Sequence, residues 1–507
     1  MPTHLTIPQF RAWVAEAEAN QRLKDYDIYE NYYLGQFSEI TLPKHIKDCM
    51  SSDVAVHANY CRAVIDTKVQ YLCGEPVAIT VESPANEPTK AKEAEKSLYQ
   101  IYKNNGLIYR NTLKAIRILS KKGDVFLKVI NDNKPPTRFY DKVLSKLMFW
   151  RKWDEDYANK LKVRVINPYY VYPRYTDDDY EELDMAMIKY YEIADNGDKQ
   201  WRAEVWYPDV VQSWELVSIG TLNNNEIMQW NFVSEIPNKY GFIPIVHIAN
   251  TIDDREFGIS DLHDVTEIQD IFNKTLTDLF LVMDYQSFQR VFIAGAMTAE
   301  GKQWDISPGT VTELPNPEAK ITVINPSAIE PLLATIEMLK SSMCQVSQTP
   351  EIALGKIQGG IPSGYALRIH YQPLENKANE CRILIKDGFE ELNQMIFMMY
   401  EIDGQGAYSD LSSEIHLRGG LPIDKLAIVD VHTKQLGNGT ISKETAMEEE
   451  GVEDVEKELG LIRAEEYDVY GDTGQRARIE AEQLQNTIAN MELTKEPVIP
   501  EELNGRT

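Results

Sequence analysis

Apolar residues along this chain fall first at helical spacing, then at strand spacing, and then at helical spacing again. Phe10, Trp13, Val14 and Ala17 recur at three- and four-residue steps behind a capping Thr6 and a first-turn Pro8, so a helix is expected over the first 35 residues, stopped by Gly35. A second helix is expected from His57 to Leu72, ending at Gly74-Glu75-Pro76, and the alternation of Val77 to Val81 reads as a strand. Thr89–Asn105 and Leu107–Ser120 read as two further helices, separated at Gly106. From Gly123 to about Asn250 the period becomes two. Candidate strands are Val125–Ile130, Leu161–Ile166, Met185–Glu192, Trp201–Tyr207, Val211–Leu216, Ile227–Phe232 and Phe242–Ile248, with Asn-Gly, Pro and Asp-rich turns between them. Strands in this unbroken succession predict an antiparallel region and exclude the βαβ alternation of a Rossmann-type fold.

Beyond Gly258-Ile259-Ser260-Asp261 the period returns to helical. Ser260 or Asp261 is the expected cap, and Leu262, Val265, Ile268, Phe272, Leu276, Leu279 and Met283 form a stripe running to about Phe288. A short β-containing segment is expected over Arg290–Pro326, with strand-like Val291–Ile293 and Ile321–Ile324. Another helix is expected from Ser327, boxed by Glu330, with the stripe Ile329, Leu332, Leu333, Ile336, Leu339, Met343 and Val346. A glycine-rich break at Gly355-Lys356-Ile357-Gln358-Gly359-Gly360 precedes the longest helical run, Tyr365 to about Glu401, which Pro373 must kink or interrupt. An acidic helical stretch follows Leu421-Pro422, with frayed residues from Glu496 on.

Composition narrows the classes. A chain of 507 residues is long enough for two to four domains. With 43% hydrophobic and 26% charged residues it reads as a folded, water-soluble protein, and no apolar run approaches a membrane span. Neither a basic nor an apolar leader is visible at the first residues, so no secretion signal is expected. Five cysteines, with no C-x-x-C pair, read as reduced thiols of a protein made in a cytoplasm. The formal net charge of −27 argues against a protein that grips nucleic acid, because such grip comes from cations on phosphates. It is compatible with an acidic conduit that touches DNA without holding it, although charge alone fits better an acidic soluble protein with no dealings with DNA.

The chemistry of enzymes is missing. The chain has no P-loop, H-E-x-x-H, C-x-x-C or G-x-S-x-G sequence. His57 and Cys61, four apart, can be read as two zinc ligands, or as a buried histidine beside a core thiol; two ligands do not make a site. Asp177-Asp178-Asp179 and Asp253-Asp254 can hold a divalent cation or can be solvated loop acids. No catalytic residue, metal or cofactor is assigned.

Several short motifs stand in order over more than four hundred residues. They are Asn31-Tyr32-Tyr33-Leu34-Gly35, Asn59 to Asp66, Tyr71 to Pro76, Ile243 to His247 with Asn250, Gly258-Ile259-Ser260-Asp261 and Ile268 to Lys274. Thr349-Pro350, Ser363 to Leu367, Leu421-Pro422, Ile441 to Thr445 and Glu456-Lys457-Glu458 complete the series. In this order they resemble the portal proteins of long-tailed phages, particularly those infecting Gram-positive bacteria. The specificity of the motifs lies in the order, since each alone is short.

The resemblance implies an α+β fold: a ring subunit with an α/β wing, a two-helix stem, a small β-containing clip, a long kinked helix and an α-helical crown. It places the wing at 1–255, stem helices at 256–289 and 327–348, the clip at 290–326 and a channel loop at 349–363. The long helix returning to the wing would be 364–420, and the crown 421–507. It implies Gly355, Lys356, Ile357, Gln358, Gly359 and Gly360 as the DNA-channel loop, and Thr298, Lys302, Gln303, Trp304 and Asp305 of the clip as docking residues. Implied partners are about eleven further copies of the chain, the terminase large subunit, a head-completion adaptor, scaffolding and major capsid proteins, and double-stranded DNA passing without sequence specificity. No membrane is among them. The implied location is the portal vertex of a virion, assembled in a bacterial cytoplasm, in an active phage or a prophage.

Alternatives stand beside these implications. The two stripes can be a helical hairpin core within one chain rather than surface shared by neighbours, and the glycine-rich loop can be an ordinary flexible surface loop. The basic, aromatic stretch Lys134–Lys160 reads as a long hairpin or a partner-binding lip. A monomeric head-associated adaptor, and a metal-dependent nuclease using the Asp clusters, are the rival functions.

Overall fold

In the computed structural model, residues 4–37, 55–83, 87–131, 158, 160–176, 182–193, 199–222, 225–251, 256–287, 291–294, 320–323, 329–355, 364–417, 419, 432–450, 455 and 458–463 are described. They form a mixed α+β protein that divides into two compact units, 1–421 and 422–507. In the smaller unit the described structure is helical and includes Lys443–Glu450.

The larger unit opens with helices α1 (Ile7–Ala19) and α2 (Gln21–Leu34). The single helix expected here is two, because Asn20 leaves the helical region and its side chain accepts a hydrogen bond from the Arg22 N–H at 3.0 Å. Gly35 ends α2 in the left-handed conformation, as its position predicts. Helix α3 (Tyr60–Leu72) starts three residues later than expected, with Asn59 as its cap. Strand β1 (Ala78–Glu82) and helices α4 (Pro88–Asn105) and α5 (Arg110–Lys122) follow.

Strands β2 (Asp124–Asn131), β3 (Leu161–Ile166), β4 (Val171–Tyr175), β5 (Leu183–Ile193), β6 (Lys199–Trp206), β7 (Val210–Leu222), β8 (Asn225–Pro237) and β9 (Ile245–Ala249) make the β region. Its pairing is antiparallel throughout, as a five-stranded meander β4-β5-β6-β7-β8 and a three-stranded sheet β3-β2-β9. Most of the basic stretch Lys134–Lys160 and both Asp clusters lie outside the described residues.

Helix α6 (Thr266–Ser287) and helix α7 (Ile329–Val346) flank two short strands, β10 (Val291–Ala294) and β11 (Lys320–Val323), which pair antiparallel. Helix α8 (Gly364–Ile402) runs unbroken through Pro373, although the proline cannot donate to the Ile369 carbonyl. Strand β12 (Ser412–His416) returns to pair with β1.

Three apolar clusters hold the larger unit. The main one joins α3, α4, α5, α6, α7 and α8 to β2 and β9. The second seats α1 and α2 on the meander, where Phe10 stacks on Trp214 at 4.0 Å between ring centroids. The third fills the space between the two sheets with Phe126, Val171, Ala186, Ile188 and Ile245. Phe10 is fully buried in the second cluster. Phe10→Ala is therefore expected to destabilise the protein by about 3–5 kcal/mol. Urea unfolding followed by tryptophan fluorescence measures this, and an unchanged midpoint would show that α1 is not seated on the meander.

Candidate functional site

The chain passes from the β region into α6 through residues 250–265, and this passage is bound to the end of α5. Four N–H and O–H groups of the passage reach it: Asn250 N–H to the Gly123 carbonyl (2.7 Å), Asp261 N–H to the Ser120 carbonyl (3.0 Å), Ser260 Oγ to the Lys121 carbonyl (2.7 Å) and Gly258 N–H to Asp124 Oδ1 (2.8 Å). The last carbonyls of α5 thus find donors in a distant segment. Gly123 has φ 87°, and a Cβ on Gly123 or on Gly258 would collide with the other's carbonyl oxygen. The two glycines allow the backbones to touch.

Asp124, fully buried, also accepts from Tyr26 Oη at 2.5 Å and from His247 Nε2 at 2.8 Å. With that ring proton on Nε2, His247 Nδ1 accepts from Tyr175 Oη at 2.6 Å. Burial, and then the Asp124 charge, push the Tyr26 phenol well above its usual range.

The pattern expects Ser260 or Asp261 as the cap. Ser260 takes that part for the turn before α6, its Oγ accepting from the Leu262 N–H (3.0 Å), while α6 itself begins at Thr266 and the Asp261 carboxylate turns inward. Lys68 of α3 lies 2.8 Å from its Oδ2 and Lys377 of α8 lies 2.9 Å from its Oδ1. The Lys68 and Asp261 side chains are each 2% exposed. Asn250 completes the knot: its Oδ1 accepts from Lys68 at 2.9 Å, and its Nδ2 donates to the Ile259 carbonyl at 2.9 Å. Burial alone would favour a neutral acid, but the two ammonium groups override it and hold the carboxyl well below the usual carboxylate range. Burial likewise favours a neutral Lys68 amine, and Asp261 reverses it so that the ammonium is retained above its ordinary pKa.

Helix α6 carries a second polar feature, the side chains Gln269, Asn273 and Thr277 at four-residue steps, all buried. They serve the backbone of residues 56–60. Thr277 Oγ1 accepts from the Val56 N–H (3.2 Å), Asn273 Oδ1 from the Ala58 N–H (3.3 Å) and Gln269 Oε1 from the Tyr60 N–H (3.0 Å), while Gln269 Nε2 donates to the Ala58 carbonyl (2.8 Å). Two residues of extended chain span about 6.6 Å and one helical turn about 5.4 Å, so alternate residues of the strap meet successive turns of the helix. This is why residues 57–59 are extended rather than helical. His57 is accordingly exposed and off the helix, so it shares no helical face with the buried Cys61. Burial pushes the Cys61 thiol up to about 12. Among the described residues no three His, Cys, Asp or Glu side chains gather as a metal cluster.

Helices α6 and α7 pack into the main cluster through Phe272, Leu279, Ile336, Leu339 and Met343. Their outer faces keep Ile271, Phe280, Met283, Leu333, Met338 and Val346 exposed, Met338 at 60%. The expected stripes therefore do two things: part is hairpin core and part is bare apolar surface. Of the expected loop residues, Gly355 ends a 3-10 turn (Glu351–Leu354) at φ 89° with open space where a Cβ would be. Lys356, Ile357, Gln358, Gly359 and Gly360 lie outside the described residues, as do Thr298, Lys302, Gln303, Trp304 and Asp305.

Helix α6, the two-stranded insertion, the returning helix α7 and the very long α8 all lie within one span that a family model matches. Residues 14–469 match the family model described as phage portal protein, SPP1 Gp6-like, and the chain belongs to that family. No curated protein matches the chain.

Asp261→Asn leaves the buried Lys68 ammonium, and the partly exposed Lys377 ammonium beside it, without their carboxylate and is expected to cost about 3–5 kcal/mol. Because the Asp261 pKa is lowered in the fold, its contribution is complete above about pH 4 and is lost as pH falls below that. Wild-type protein should thus lose stability into acid more steeply than Asp261→Asn, as read from urea midpoints at pH 3 to 6. Parallel acid limbs would mean the carboxylate is not paired.

Proposed function

We propose that the chain is the subunit of a ring of about twelve copies, closed by heterologous contacts, that forms the channel at one capsid vertex. Double-stranded DNA enters through it during packaging and leaves through it at ejection. Residues 1–255 are the wing and 364–420 the long helix returning to it; 256–289 and 327–348 are the stem, 290–326 the clip, 349–363 the channel loop and 421–507 the crown. The clip, with Thr298, Lys302, Gln303, Trp304 and Asp305, docks the terminase large subunit and later the head-completion adaptor. Scaffolding and major capsid proteins are further partners. Loop residues Gly355 to Gly360 face the DNA, with Lys356 against its backbone. The subunit itself catalyses nothing; the work of translocation belongs to its ATP-driven partner.

The observation that carries this reading is the family match over residues 14–469 together with the helix–hairpin–helix arrangement it spans. The exposed apolar residues of α6 and α7 support it, since a bare apolar face on a helical hairpin is surface for a neighbour. The charge of −27 per chain supports it too, because a bore that repels phosphate lets DNA slide. No helix among the described residues is long and apolar enough to cross a membrane. The monomeric adaptor is the reading to separate from this one.

Light scattering and negative-stain microscopy of the purified protein make that separation. Twelve copies of 58.1 kDa give particles near about 700 kDa with a central hole. A monomer that persists at high concentration, across salt, and with scaffolding protein present would overturn the ring. Deleting Gly355–Gly360 should leave ring mass unchanged and abolish packaging of DNA into heads; undiminished packaging would remove the loop from the DNA path.

A further inference from the structure

The turn by which the chain leaves α7 is strained, and a charged side chain from α8 is bonded to it. Three hydrogen bonds build the turn: Ser347 N–H to the Met343 carbonyl (3.0 Å), Gln348 N–H to the Gln345 carbonyl (3.2 Å) and Thr349 N–H to the Cys344 carbonyl (2.9 Å). This is the geometry in which a helix end usually places glycine in the left-handed region. Here the residue is Gln348 at φ 57°, the one non-glycine residue with positive φ among the described residues. A β-carbon disfavours that conformation, so the surroundings must hold it.

Ser347 and Thr349 on either side are each 1% exposed. Lys377 Nζ donates to the Ser347 carbonyl at 3.1 Å and to Asp261 at 2.9 Å, while Lys68 holds the other Asp261 oxygen. A single ammonium therefore joins the first residue past α7 to the segment that leads into α6. From that residue the chain runs through Pro350 and the 3-10 turn to Gly355.

We propose that Lys377, anchored by Asp261, is a positioning residue that holds residues 347–355 in this strained turn and so sets the direction in which the chain departs toward the channel-loop segment. Removing it frees the turn to relax while the Lys68–Asp261 pair keeps the rest of the knot intact. Its consequence for DNA passage rests on the reading of 349–363 as the channel loop; its consequence for the turn does not.

Hydrogen exchange of the full chain tests the proposal. In Lys377→Met the amides of Ser347, Thr349 and Gly355 should exchange on the order of tenfold faster, and those of β2 and β9 should be unchanged. Gln348→Gly added to that variant should slow Ser347 and Thr349 again, because glycine keeps the left-handed turn without the tether. Unchanged exchange at 347–355 in Lys377→Met, or equal acceleration in β2 and β9, would overturn the proposal. If Lys377→Met does not fold, Gln348→Gly in the native chain decides: slower exchange at Ser347 and Thr349 supports a strained, held turn, and equal or faster exchange overturns it. Packaging separates the two readings. Faster exchange at the turn with undiminished packaging keeps the positioning role and removes the channel-loop assignment.

Discussion

A carboxylate shut away from water must find its cations in the protein, and Asp261 finds two. Each ion alone would cost several kcal/mol to desolvate, and together they become tolerable only because every member has a second partner. Lys68 also bonds Asn250, Asn250 also bonds the Ile259 carbonyl, and Lys377 also bonds the Ser347 carbonyl. The knot is thus tied to α3, to the strand end at β9, to the entry of α6, to the exit of α7 and to α8. In the larger unit these elements share their positions through this one charge arrangement as much as through their common apolar cluster.

Around it the same requirement, that buried polar backbone be satisfied, sets the rest of the joint. Gly123 ends α5 in the left-handed conformation and its N–H bonds the Leu119 carbonyl, but that turn leaves the Ser120 and Lys121 carbonyls to be met from elsewhere. Donors from residues 250–261 meet them instead, and the price is the glycine pair at positions 123 and 258, where backbones touch. Among the described residues no strand pairs with the strap at residues 56–60, and the side chains of α6 take the place of one. A helix that offers Gln, Asn and Thr at four-residue steps gives up apolar area on that face and gains a fixed orientation toward α3.

On the proposed ring such rigidity would have a plain use, since force applied along the channel would pass from the helices α6 and α7 into the β region without unfolding the connection. A joint made of charge-assisted hydrogen bonds and close backbone contacts is stiff, and on that reading the outward apolar faces of α6 and α7 would be surface for a neighbouring copy. The acidity of the chain, acting over about 8 Å in physiological salt, would then bear on the DNA.

Where periodicity was strong it determined the elements. The strands β2, β3 and β5 to β9, the helices α6 and α7 and the small hairpin between them follow from spacing alone, and so does the length of α8. The short strands β4 and β12 do not: β4 contains Pro173 and β12 reads Ser-Ser-Glu-Ile-His, so each is a strand only because β5 or β1 lies beside it. The knot was half legible. Lys68 stands on the apolar face of α3 with Cys61, Val64, Ile65 and Leu72, a place where a lysine must be paired. Its partner was not legible, because Asp261 lies 193 residues away and by local pattern looks like a helix cap. Local spacing decides which residues form a helix or a strand. Which buried charge meets which is decided by long-range packing, since the carboxylate nearest Lys68 in sequence, Asp66, pairs with Arg62 and Arg117 instead.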